Sequence, residues 1–167
     1  ITQNLQQIKA KLPNHITLVA VSKTKPIADL MEAYNAGQRI FGENYVQELV
    51  EKQPLMPLDV QWHFIGHLQS RKVKNIAPFV SLIHGVDSFK LLQEINKQAE
   101  KNNRTIDCLL QIYIANEATK FGLDENEINT IFNSDEFKNM KNINVVGFMG
   151  MATFTENKAQ IKKEFLN

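Results

Sequence analysis

Apolar residues along this chain recur first at helical spacing, then in short unbroken runs, and the two patterns alternate to the end. Ile1, Leu5, Ile8 and Leu12 lie three or four residues apart with polar residues between them. This spacing predicts an amphipathic opening helix that stops before Pro13. Residues 16–22 form a nearly continuous apolar run of strand length. Such runs suit strands buried on both faces, as in parallel sheets covered by helices. Thr24 and Pro26 then open a helix, with Pro26 where its missing N–H costs little. That helix runs through Ile27, Leu30, Met31 and Tyr34 to a left-handed C-cap at Gly37. The same reading predicts strands over 39–42, 60–65, 80–86, 105–115 and 143–149. Between them it predicts helices over 45–53, 70–76 and 124–132, and a long one from a cap at Asp87 or Ser88 to about 102. A last helix starts at Thr155 or Glu156 and is still running at Leu166.

About six β/α units follow the leading helix, a pattern that implies a parallel sheet with right-handed crossovers. No composition break or Pro/Gly/Ser-rich linker interrupts residues 1–167, so one domain is expected. Two architectures fit: an open doubly wound sheet, or a (β/α)₈ TIM barrel cut short. A complete barrel usually needs roughly 200 residues or more, and this chain has 167. The final helix has no Gly or Pro stop, so the end reads as a cut.

Composition narrows the classes. The chain is 43% hydrophobic and 22% charged, ordinary for a globular protein. No apolar run approaches the roughly 20 residues of a membrane span, and the start shows no basic-then-apolar signal sequence. The single cysteine, Cys108, forms no internal disulfide and fits a reducing cytoplasm. A formal net charge of +1 offers no global field for nucleic acid or anionic lipid.

Lys23 is the first candidate for chemistry. Period-2 alternation puts Val19, Val21 and Lys23 on one face and Leu18, Ala20 and Ser22 on the other. Lys23 is therefore expected to project from the C-terminal end of its strand, on the face of buried valines. Ligands of α/β folds bind at that end. Partial desolvation there favours a neutral amine, the form that attacks an aldehyde to give a Schiff base. On position alone a lysine snorkelling into solvent is the better reading. Lys25, just before Pro26, is a weaker candidate.

In the segment 41–48, Gly42 allows close backbone approach, and Asn44 can cap the next helix or reach a ligand. Glu43 and Glu48 read as general bases, or as carboxylates that complement a helix N-terminus or face solvent. His63 and His67 are four apart, but the intervening residues read as strand and turn, so no metal site is expected. His63 and His84 suit a pocket at strand ends. Cys108 lies in a buried-strand pattern, not that of an activated thiolate. The basic run from Arg71 to Lys74 lacks interleaved aromatic residues for stacking bases. No dinucleotide glycine loop, Walker A lysine or Gly-x-Ser-x-Gly elbow is present.

Taken together, the motifs resemble a known family. Val19-Ala20-Val21-Ser22-Lys23-Thr24-Lys25-Pro26 is similar to the lysine segment of the YggS/PROSC family, the pyridoxal phosphate homeostasis proteins. Gly37-Gln38-Arg39 with Phe41-Gly42-Glu43-Asn44-Tyr45-Val46-Gln47-Glu48 resembles its second block. Gln61-Trp62-His63-Phe64-Ile65-Gly66-His67-Leu68-Gln69-Ser70 resembles its third. His84-Gly85-Val86-Asp87-Ser88, Lys120-Phe121-Gly122 and Gly147-Phe148-Met149-Gly150-Met151 follow in family order.

The resemblance implies a barrel of the alanine racemase N-terminal type, with about six of its eight β/α units in this chain. It implies pyridoxal 5′-phosphate (PLP) as cofactor, Lys23 as the Schiff-base lysine, and Asn44 and Met149 near the cofactor. It further implies a cytoplasmic, monomeric protein of PLP storage, delivery or homeostasis without established catalysis. PLP-requiring apo-enzymes are then its partners. Family members continue with a Gly-Met-Ser segment and a Val-Arg-Ile-Gly segment that cradle the phosphate and face the pyridine nitrogen. Neither occurs in these 167 residues. The alternative is a PLP-dependent racemase or lyase. That chemistry needs acid/base groups on both faces of the substrate, one usually from a second domain. Tyr45 and Tyr113 are the candidates, but nothing in the sequence places either opposite Lys23.

Overall fold

In the computed structural model, described for residues 1–114 and 122–166, six parallel strands stand side by side in chain order. They are β1 (Ala20–Val21), β2 (Ile40–Glu43), β3 (Gln61–Phe64), β4 (Leu82–Val86), β5 (Ile106–Ile112) and β6 (Ile143–Gly150). Helices alternate with them: α1 (Thr2–Lys11), α2 (Ile27–Asn35), α3 (Val46–Lys52), α4 (Val73–Ile76), α5 (Phe89–Lys101), α6 (Glu125–Asn133), α7 (Asp135–Asn139) and α8 (Lys158–Glu164).

The strand order decides between the two architectures. A doubly wound sheet reverses direction at a switch point, whereas here every strand pairs with its sequence neighbours and no reversal occurs. That is the order of a barrel wall. The wall is open, with β1 and β6 as its two edges.

Residues paired across a parallel ladder share a face of the sheet. Ala20, Phe41 and Trp62 lie in one row, and Phe64, Ile83 and Cys108 in another on the same face. All but Ala20 are buried beneath helices, with Leu49, Ile76, Leu92 and Ile95 among their partners in the core. Burying one such side chain contributes about 1.5–3 kcal/mol. The other face carries Val21, Gly42, His63, Leu82 and Asp107 in one row. It faces the inside of the unfinished barrel.

Local chemistry explains the helix ends. Gly37 takes φ +90° and closes α2, its N–H donating to the Tyr34 carbonyl at 2.9 Å, as the glycine predicts. Ser88 Oγ caps α5 by accepting from Leu91 N–H at 3.3 Å. Leu91, Leu92, Ile95 and Ala99 then bury one stripe of that helix.

Several expectations change. The run 16–22 forms only a two-residue ladder, and Val21 is 52% exposed because β1 is an edge strand beside an open interior. Ahead of the ladder, buried Gln38 replaces strand pairing: its Nε2 donates to the carbonyls of Leu18 (2.9 Å) and Ile40 (2.7 Å). Thr24 does not open a helix, since α2 starts at Ile27 with Pro26 as its N-cap. The helix expected over 124–132 is followed by a separate one, α7, because Ser134 leaves helical geometry and caps the next turn. The last helix begins at Lys158 behind an Asn157 cap and ends at Glu164. Lys120 and Phe121 lie outside the described residues.

Candidate functional site

The chain turns immediately after β1, and Lys25 N–H donates to the Ser22 carbonyl at 3.1 Å. Lys23 and Thr24 are the two central residues of that turn, and Thr24 has φ +61°. Positive φ at the second central position marks a type II turn, where Gly or Asn normally sits. A β-branched residue resists it, so the surroundings must hold it.

They do so through three side chains that the sequence reading left out or misjudged. Lys52, at the end of α3, is buried. Its Nζ donates to the Ser22 carbonyl (2.6 Å), Glu43 Oε1 (2.8 Å) and Glu48 Oε1 (2.6 Å), which uses all three ammonium protons. Ser22 Oγ donates to Glu43 Oε1 at 2.7 Å. Glu48 Oε1 also accepts the Thr24 N–H, at 2.6 Å. Glu43 and Glu48 are therefore neither exposed bases nor simple helix-end charges, because both are engaged by Lys52. The sequence did hold a signal. Lys52 falls three residues after Leu49 and six after Val46, on the buried stripe of α3, and it stands four residues after Glu48.

On the inner face, the register that pairs Val21 with Gly42 sets Lys23 and Asn44 each two residues further on. The structure thus brings Lys23 and Asn44 to the ends of neighbouring strands. Lys23 is exposed, which corrects the expected desolvation among buried valines: the strand is too short and the barrel too open to cover it. Asn44 Oδ1 is buried with no hydrogen-bond partner among the described residues. Beside it the strand-end loops pack backbone against backbone, which requires glycine. A Cβ on Gly66 would lie 2.4 Å from the Asn44 carbonyl oxygen, and one on Gly85 would lie 2.9 Å from that of Gly66. Met149 is not part of this group. It pairs with Gln111 on β6, at the opposite edge of the sheet.

Deeper in the interior, His63 Nδ1 and His84 Nε2 share a hydrogen bond at 3.0 Å. Burial, then the neighbouring His84 charge, pushes His63 down to about 4, against a smaller upward pull from Asp107. Burial also lowers His84. His67 instead meets Asp87, with Nδ1 3.2 Å from Oδ2. Burial pushes the Cys108 thiol up to about 12, so it is no nucleophile. Among the described residues no group of three or more His, Cys, Asp or Glu side chains is placed to hold a metal ion, and no helix is long and apolar enough to cross a membrane. Arg71 reaches back to Gln69 Oε1 (3.2 Å from Nη2), while Val73 is fully buried and interrupts the basic run.

Comparison with known proteins now bears on this arrangement. The alanine racemase N-terminal domain family matches residues 1–166. A pyridoxal phosphate homeostasis protein of Pasteurella multocida is 38% identical over 173 residues, covering 99% of this chain and 72% of the relative. The chain belongs to this family. The pyridoxal phosphate homeostasis protein of Aquifex aeolicus is 37% identical over 153 residues, covering 91% of this chain and 66% of that protein. The chain thus spans about two thirds of the length of such relatives. PipY of Synechococcus elongatus has been solved without and with PLP bound, with TM-scores of 0.88 and 0.85 at 33% and 32% identity. The two comparisons cover 95% of this chain, and 74% and 73% of the PipY chains. The homeostasis family therefore shares the barrel-wall fold described above, and the order of the six strands follows from it.

Proposed function

We propose that this chain holds PLP as a Schiff base on Lys23 and serves PLP homeostasis and delivery without turning over a substrate. One observation carries the reading: an exposed lysine at the end of β1 lies at the strand end neighbouring that of Asn44, whose buried amide oxygen has no donor among the described residues. The residues fit the group. Lys23 supplies the amine, and Asn44 Oδ1 can accept a hydrogen bond from the ligand. When bound, PLP brings an aldehyde carbon that amines capture reversibly with loss of water. Reversibility suits a carrier. The family names and the PLP-bound PipY structure support the same ligand.

Met149 is assigned to the cofactor surroundings on the family resemblance, at the far side of the inner face. The same resemblance supports a single PLP-binding domain over 1–167, a monomer, a cytoplasmic setting, and PLP-requiring apo-enzymes as recipients. The Gly-Met-Ser and Val-Arg-Ile-Gly segments are absent from these 167 residues, so this chain alone is expected to hold PLP far more weakly than a full-length relative. The test is to add PLP, record the visible band, reduce with borohydride and map the labelled peptide. Label on Lys23 is the expected result, and label confined to other lysines overturns the assignment. Alanine racemisation by the full-length protein would reinstate the racemase reading.

A further inference from the structure

We infer that Glu48 is a positioning residue: its carboxylate, held by Lys52, latches Thr24 in the left-handed conformation and so fixes how Lys23 is presented. The inference rests on the assignment of Lys23 as the PLP lysine. Its support is geometric. Lys23 and Thr24 share one tight turn, and Thr24 holds φ +61° with a branched side chain. The turn is tied down at both ends of that dipeptide. On one side the Ser22 carbonyl accepts from Lys52 Nζ at 2.6 Å. On the other, the Thr24 N–H donates to Glu48 Oε1 at 2.6 Å. One ammonium group thus fixes the residue before Lys23 directly and the residue after it through Glu48, whose Oε1 it holds at 2.6 Å. Lys23 itself needs no contact to be aimed, because its neighbours in the chain are immobilised. The amine stays exposed while its backbone is clamped, as a residue that must capture and release a ligand requires.

Thr24 also supplies a specific test. Glycine adopts positive φ without steric cost. If the latch exists to hold that conformation, Thr24→Gly should make it dispensable. A merely stabilising role for Glu48 predicts no such rescue. Glu48 is partly exposed, and removing it leaves the buried Lys52–Glu43 pair in place, so Glu48→Ala is expected to fold. Labelling of Lys23 is measured with PLP and, separately, with pyridoxal, followed by borohydride reduction and peptide mapping. Exchange of the Thr24 amide proton is measured by NMR in the ligand-free protein.

Glu48→Ala is expected to slow Lys23 labelling by roughly ten- to a hundredfold, with pyridoxal as well as PLP, and to speed Thr24 amide exchange. The Glu48→Ala/Thr24→Gly double variant is expected to regain most of the lost rate. Unchanged labelling in Glu48→Ala, or no recovery in the double variant, overturns the inference. If Lys23 is not labelled even in the unaltered protein, the PLP assignment fails by itself. Amide exchange then decides the latch: faster exchange in Glu48→Ala supports it, and unchanged exchange overturns it.

Discussion

On the helix-covered face of the sheet, one lysine and two carboxylates are drawn together and balance much of each other's charge. On the inner face, two imidazoles lie against each other and burial holds both toward the neutral form. The difference lies in what surrounds each cluster. In the outer cluster Lys52 and Glu43 are buried under α3, so an unpaired charge on either has no water to turn to and must be matched by a partner. Among the described residues the inner cluster has no counter-charge at hydrogen-bond distance, so its groups shed their charge instead. Charge on the helix-covered face ties down the turn that carries Lys23, while the open face holds two imidazoles drawn toward the neutral form.

The sharpest way to break this contrast is to remove the sealed cation. Lys52→Met leaves Glu43 buried without a counter-charge and should cost about 3–5 kcal/mol, read from urea unfolding. A loss under about 1 kcal/mol would mean that the outer cluster is not electrostatically closed. Next in size is a packing comparison along one strand. Leu110 is fully buried on the outer face, and Leu110→Ala should cost about 2–5 kcal/mol. Leu109, on the inner face, is only partly buried, and Leu109→Ala should cost about half as much or less. Equal losses would erase the distinction between the two faces.

A third test uses pH. His63 falls from an ordinary 6.5 to about 4 in the folded protein, so between those values the unfolded chain binds the extra proton. The stability this provides is fully present above about pH 6.5 and is lost as pH falls toward 4. The loss should be about 1–2 kcal/mol, because water reaching the open interior screens part of the shift. His63→Gln should flatten the dependence of the urea midpoint over that window, and an unchanged slope would remove the inner pair from the comparison. Smallest of all, Val21→Thr on the exposed inner side of β1 should change stability by no more than about 0.5 kcal/mol.

The alternating pattern made the sequence of strands and helices legible, because burial under helices demands apolar runs of strand length. It also placed Lys23 at a strand end and Cys108 in the core. It could not choose the barrel wall over a doubly wound sheet, since strand order depends on pairing between distant segments. Nor did it show that residues 16–19 lie outside the ladder, because the amide of Gln38 takes over their hydrogen bonding from 20 residues away in the case of Leu18. The site was half visible. Lys23 and Asn44 stand in motifs, but the Thr24 turn looked like a helix start, since a left-handed threonine has no sequence signature. Lys52 looked like any helix lysine, although its place on the buried stripe of α3 marked it.

The order of the strands has a consequence for synthesis. Every ladder joins a strand to the one made just before it, so a chain emerging from the ribosome can extend its sheet one unit at a time without waiting for a distant partner. Lys23, Thr24, Glu43, Glu48 and Lys52 all belong to the first two units. The turn that presents Lys23 can therefore be locked while most of the wall is still being translated.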